Sequence, residues 1–179
     1  VVLFLQVIKQ ISNYPSIIAR PYIRASKKDA QWKDNQRYTF ESLVTVLASY
    51  AVSDLLNVYM TLREPVESGR GDISEEDLEI IESLKNIENL KSIGLEQMSL
   101  GKWCAVLRET TKVLKDHQDK SFIPELYKNF QPPSNKLWDD INSLVKQRND
   151  DAHGVPISDS ELKKVLTSRQ EILDRILEQ

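Results

Sequence analysis

Apolar residues along this chain recur every three or four positions and nowhere alternate, which is the spacing of helices packed on one face. Val1 to Ile11 predicts a short helix, closed by Ser12-Asn13-Tyr14-Pro15. Pro21 then keeps the following stretch irregular, so residues 1–35 read as an N-terminal helix plus an arm. A long helix follows, with Phe40, Leu43, Val44, Leu47, Ala51, Leu55 and Val58 on one face, ended by Pro65 and the Gly69/Gly71 pair. The next starts at Ser74, whose hydroxyl caps the first turn with Asp77 three positions later, and buries Leu78, Ile81, Leu84 and Ile87 before Gly94. A fourth carries Leu100, Trp103, Leu107, Thr110 and Leu114 and frays near His117. Residues 122–130 form a short helical piece ahead of Pro132-Pro133. A fifth helix begins near Asn135 with Leu137, Trp138, Ile141, Leu144 and Val145 as its stripe. The last opens with the capping pair Ser158 and Glu161 and runs through Leu162, Val165, Leu166, Leu173, Ile176 and Leu177.

The fold class this predicts is all-α: an up-and-down helical bundle of about five to six helices, one domain over residues 1–179, with no repeat. At 179 residues the chain is long enough for one well-formed core. A net charge of -3 gives no global attraction to nucleic acid or membranes, so any anion site must be local. The single cysteine, Cys104, excludes an internal disulfide and reads as a small core residue in a reducing, cytoplasmic setting. The stretch from Ser42 to Leu62 has only Asp54 as a charge, yet its hydroxyls, Asn57 and two tyrosines make it too polar for a bilayer span, and a buried central helix is expected. The chain opens on Val1 rather than Met, so a piece of a longer protein is expected.

One segment suggests chemistry: Arg148-Asn149-Asp150-Asp151-Ala152-His153. On a wheel centred at Ile141, Arg148 falls about 20° from the apolar centre, with Asn149 near 80° and His153 near 120° on the same flank. Asp150 points away and Asp151 falls on the far flank. An arginine, an asparagine and a histidine are thus turned toward the buried side, where polar groups are expensive unless partnered. A near-neutral histidine can move a proton to or from a ribose hydroxyl, and an arginine fork can hold the scissile phosphate. That chemistry needs no metal. The same residues also read as a helix stop, since His153-Gly154-Val155-Pro156 puts a cation near the negative end, a glycine at the left-handed position and a proline beyond.

Arg148-Asn149 with His153 four residues on, at the end of a late helix in a small all-α chain, resembles the RNxxxH form of the motif of HEPN domains (higher eukaryotes and prokaryotes nucleotide-binding). Leu144-Val145-Lys146-Gln147 running into the motif, Ala152-His153-Gly154 closing it, the long apolar helix around Phe40 to Leu56 and the helix start Ser99-Leu100-Gly101-Lys102-Trp103 are similar too. The resemblance implies a metal-independent endoribonuclease that attacks through the 2′-hydroxyl, or a non-catalytic dimerisation or nucleotide-binding module of a larger signalling protein. It implies a homodimer that brings two motifs into one cleft, and an antitoxin or fused sensor domain as partner in defence or stress responses. By it Arg148 would hold the phosphate, His153 would act as acid and base, and Asn149 would support them.

Other residues complete the expectations. Asp54, a lone acid, either pairs with Arg148, orients His153 or sits on an exposed edge, and Tyr50 one turn earlier shares that groove or packs in the core. Arg20, Arg24, Lys27, Lys28, Lys33 and Arg37, interleaved with Tyr22, Trp32 and Tyr38, read either as a single-stranded RNA platform or as a solvated loop. Lys146 joins the RNA-binding set. No His, Cys or acid cluster has metal-ligand spacing, and no glycine-rich phosphate loop is present, so neither metal nor cofactor is expected.

Overall fold

The computed structural model describes residues 16–68, 74–86, 98–114, 118–128, 136–152 and 158–178. All regular structure among them is α-helical: α1 (Ser16–Ala25), α2 (Trp32–Ser68), α3 (Glu75–Asn86), α4 (Leu100–Leu114), the single turn α5 (Pro124–Lys128), α6 (Lys136–Ala152) and α7 (Asp159–Glu178). The protein is all-α, with six helices of ten residues or more among the described residues. The helix expected at 1–11 lies outside them.

Residues group into two compact units, Val1–Leu43 with Leu137–Gln179, and Val44–Lys136. Helix α2 contributes its opening turns to the first and the rest to the second.

In the first unit, the arm expected to be irregular is instead the helix α1, which contains Pro21. Ile18, Ala19, Tyr22 and Ala25 form one buried face, and that burial outweighs the single i→i−4 bond that a proline removes. A turn then reverses the chain. Ser26 N–H donates to Tyr22 O at 2.9 Å, and Lys28 takes a positive φ of 52°. α2 starts at Trp32, earlier than its apolar stripe suggests, after a turn held by Asp29: Gln31 N–H donates to Asp29 Oδ1 at 2.9 Å and Trp32 N–H to Asp29 O at 3.0 Å. Ala25, Trp32 and Leu166 pack together, with Leu162 against them. A polar seam joins α1, α2 and α7. Tyr22 donates to Asp174 at 2.6 Å, Gln36 Nε2 to Leu166 O at 2.7 Å, and Gln170 Nε2 to Asp174 at 2.8 Å. Buried amides cost little only when bonded in this way, so the seam fixes register as well as contact.

In the second unit, Leu55, Val58, Ile80, Leu114 and Tyr127 form the core. α2 continues past position 65 and ends at Ser68, just short of Gly69, so Pro65 does not end it. Ser74 caps α3 as expected, its Oγ accepting from Asp77 N–H at 3.1 Å. The face of α3 is corrected: Ile80 and Ile81 are buried, whereas Leu78 is exposed. In α4, Cys104 is buried and its thiol pKa is pushed up by that burial, which suits a small core residue.

One stretch of α2, Trp32–Glu64, is long and apolar enough to cross a membrane, with mean hydropathy 1.4 in its best window and 39% of that window buried. A core helix meets the same test, and here Asp54 of that stretch is buried against donors from outside α2.

Candidate functional site

The motif helix α6 packs through a face different from the one its apolar residues suggest. Leu137, Asp140, Ile141 and Leu144 are buried, and Asp151 is mostly so. This centres the buried side roughly 50° from Ile141, toward the aspartates. The cause lies in α7. Arg169, only 3% exposed, donates from Nη1 to Asp151 Oδ2 at 2.9 Å and from Nε to Gln147 Oε1 at 3.3 Å. Arg175 Nη2 donates to Asp140 Oδ1 at 2.6 Å. Lys33 of α2 adds a second contact to Asp151, at 3.3 Å. Asp151 is therefore on the packed side of its helix rather than on the far flank, and two cations offset its charge.

That rotation moves the motif outward. Arg148 is half-buried, with 39% of its side chain accessible, and its Nε lies 3.5 Å from Glu41 Oε1 of α2. Asn149 is exposed rather than turned inward, and its Oδ1 accepts from Arg148 Nη1 at 3.5 Å. Asp150 is exposed beside them. His153, and with it the helix stop through Pro156, lies outside the described residues, as does His117. The end of α6 thus offers a partly accessible guanidinium and an amide side by side.

Asp54 does a different job from the one expected. It is 1% exposed, and its oxygens accept from Ser121 Oγ at 2.5 Å, Phe122 N–H at 2.8 Å and Tyr127 Oη at 2.7 Å. Its partners are these three donors, and the carboxylate beside Arg148 is Glu41. Asp54 pins the chain leading into α5 to the long helix. Burial, then the hydrogen bond to Asp54 and its charge, push the Tyr127 phenol far above its usual range. Tyr50 is exposed, so it packs in no core.

The basic residues Arg20, Arg24, Lys27, Lys28 and Lys146 are all exposed. The aromatic half of that platform is largely absent, because Tyr22 and Trp32 are buried. The Lys28 ammonium instead covers the Trp32 ring, 5.4 Å from its centroid. Only Tyr38 of the three is exposed, at 51%, with the Arg37 guanidinium 5.1 Å from its ring centroid. Among the described residues no group of three His, Cys, Asp or Glu is placed to hold a metal. Sequence reasoning missed Glu41 and Arg169. Glu41, four residues after Arg37 on one helix face, was the more legible of the two. Compared with known proteins, the chain matches no family model, no curated protein and no solved structure.

Proposed function

We propose that this chain is a metal-independent endoribonuclease of the HEPN type, acting on single-stranded RNA by attack of a 2′-hydroxyl on the adjacent phosphate. The observation that carries the reading is the pairing of Arg148 and Asn149 on the accessible edge of the last turns of α6, with His153 four residues beyond Asn149. Arg148 is held by two long contacts, to Asn149 and to the Glu41 carboxylate, and such partly exposed pairs are worth little, so a phosphate can replace Glu41. The neighbouring carboxylate Asp151, which would repel RNA, is already paired with Arg169 and Lys33. In the reaction the ribose 2′-oxygen bonds to phosphorus and the 5′-oxygen leaves. His153 takes the hydroxyl proton or returns one to the leaving group, and Arg148 stabilises the charge that develops on the phosphate. A second copy of the chain, related by a two-fold axis, brings a second motif to the same cleft.

Glu41 also favours a second reading, a non-catalytic helical module, because a carboxylate beside the phosphate-holding arginine lowers the local positive potential. The two readings part on one assay. Single-stranded RNA is incubated with the wild-type chain and with His153→Ala and Arg148→Ala. For the nuclease, either variant slows cleavage by about 10²-fold or more, and helicity by circular dichroism is unchanged. No cleavage by the wild type, or equal cleavage by wild type and His153→Ala, removes the nuclease and leaves the module.

A further inference from the structure

The site around Arg148 extends across to α2, and the residues there have their own chemistry. Glu41 lies on a partly exposed face of that helix. Arg37 precedes it by one turn, Tyr38 stands three residues before it, and Arg148 reaches it from α6. Arg37 is half-exposed. Its guanidinium lies against the Tyr38 ring and contacts Asp34 at 3.7 Å. The Tyr38 hydroxyl does most to hold the Arg37 pKa up, burial opposes it, and the lesser effects of the Glu41 and Asp34 charges add to the rise. Glu41 thus contacts the Arg148 guanidinium from α6 and stands one helical turn from Arg37, and an accessible aromatic ring lies against Arg37.

Two arginine forks and one exposed ring are what a nucleotide unit of a single strand requires. The forks take the charged oxygens of a phosphodiester, and the ring takes the face of a base whatever its identity. A protein partner would be expected to fill this face with apolar contacts, yet Tyr38 is the one large apolar group among these residues, beside the charged Asp34, Arg37, Glu41 and Arg148. Glu41 has the chemistry of an occupant that mimics the phosphate until RNA displaces it. Its contact with Arg148 is long and monodentate, and about a third of its own side chain is accessible.

We infer that Arg37, Tyr38 and Arg148 form a nucleotide subsite for single-stranded RNA, with Glu41 as an internal phosphate mimic that weakens binding until it is displaced. The inference rests on the reading of Arg148 as the phosphate-holding residue of a nuclease. It adds three residues of α2 to that site and a regulatory role for one of them.

The test uses binding, so that it does not depend on turnover. The whole chain is titrated into fluorescein-labelled 2′-O-methyl hexauridylate, which has no free 2′-hydroxyl to attack, and anisotropy gives Kd. Glu41→Gln keeps the side-chain shape and removes the charge, and is expected to tighten binding about threefold to tenfold at low salt. Arg37→Gln and Arg148→Gln each weaken it by about fivefold or more. Tyr38→Ala weakens it by about fivefold or more, whereas Tyr38→Phe, which keeps the ring, binds like the wild type. In the Arg148→Gln background the gain from Glu41→Gln shrinks, since the guanidinium that Glu41 contacts has gone. Unfolding cannot produce a gain in affinity, so a tighter Glu41→Gln variant supports the subsite. Unchanged or weaker binding by Glu41→Gln overturns it, as does equal loss in Tyr38→Phe and Tyr38→Ala. Failure of the two readings is distinguishable. The expected binding pattern with no cut in ordinary RNA keeps the subsite and removes the nuclease. Cleavage dependent on His153, with binding indifferent to Glu41 and Tyr38, keeps the nuclease and removes the subsite.

Discussion

Tyr127→Phe measures the contribution of the Asp54 clamp. The phenol is fully buried and Asp54 is 1% exposed, so removing the hydroxyl deletes a 2.7 Å bond that water is not placed to replace. Phenylalanine keeps the ring, so almost no cavity forms. A hydrogen bond to a charged acceptor is worth about 1.5–3 kcal/mol, and shielding on both sides places this one near the middle, about 2 kcal/mol. Ser121→Ala removes a bond to the same carboxylate, but Ser121 is only partly buried, so water can substitute and the loss should stay below about 1 kcal/mol. Guanidinium unfolding followed by far-UV circular dichroism and by tryptophan fluorescence, to which Trp103 contributes from within the same compact unit, reads both variants. A chain of this length should lose about 4–8 °C of Tm in Tyr127→Phe. Tyr127→Phe within about 0.5 kcal/mol of wild type, or no milder effect from Ser121→Ala, would refute the assignment of burial as the source of the strength. The clamp also sets a pH dependence. The unfolded chain releases the Tyr127 proton near pH 10, while the folded chain keeps it because burial and Asp54 raise the pKa. Above pH 10 the unfolded state therefore binds fewer protons, and stability falls with rising pH after being fully present below it. Tyr127→Phe should remove that part of the decline.

Three further outcomes follow from named contacts. Arg169→Ala leaves Asp151 with only Lys33 and should cost about 3 kcal/mol in chemical denaturation, whereas Arg175→Ala, whose side chain is 43% accessible, should cost less than about 1 kcal/mol. Lys28→Gly relieves the strain that a positive φ of 52° puts on any residue with a Cβ but loses the contact with the Trp32 ring, so it should change stability by less than about 0.5 kcal/mol in the same assay; a loss above about 1 kcal/mol would contradict that conformation. Ser158→Ala removes the cap of α7 and should lower Tm by a few degrees, since such caps are worth about 1 kcal/mol. The Ser158 hydroxyl, and after it the Ser158 N–H, hold the Glu161 carboxyl below its ordinary range, so an NMR titration should show that carboxyl rising in the variant.

Helical periodicity made the helices legible, and the caps at Ser74 and Ser158 were legible for the same local reason: they depend on residues within one turn. Proline was misleading at position 21, because the burial that outweighs one lost hydrogen bond comes from packing that a local reading does not contain, and at position 65, where α2 continues to Ser68. The motif shows the limit most clearly. A wheel drawn from Leu137, Ile141, Leu144 and Val145 places the buried face by apolar residues alone. The actual face includes Asp140 and Asp151, which tolerate burial through Arg175 and Arg169, 35 and 18 residues further along the chain, with Lys33 of α2 also on Asp151. Asp54 stood out as a lone acid, yet its partners are hydroxyls and an amide 67 to 73 residues away. No spacing rule links such distant pairs. Glu41 was overlooked because an acid one turn from an arginine on a helix reads as an ordinary surface pair, and its second arginine lies 107 residues away.

The proposed chemistry is tested most directly by the ends it leaves on RNA. A defined single-stranded RNA is incubated with the chain in excess EDTA and the fragments are weighed by mass spectrometry. Attack by the 2′-hydroxyl with Arg148 and His153 as the working groups should give 2′,3′-cyclic phosphate and 5′-hydroxyl ends, lost in His153→Ala and at any linkage whose 2′-hydroxyl is replaced by hydrogen. Fragments ending in 3′-hydroxyl and 5′-phosphate, or intact RNA in the presence of folded wild-type chain, would contradict it.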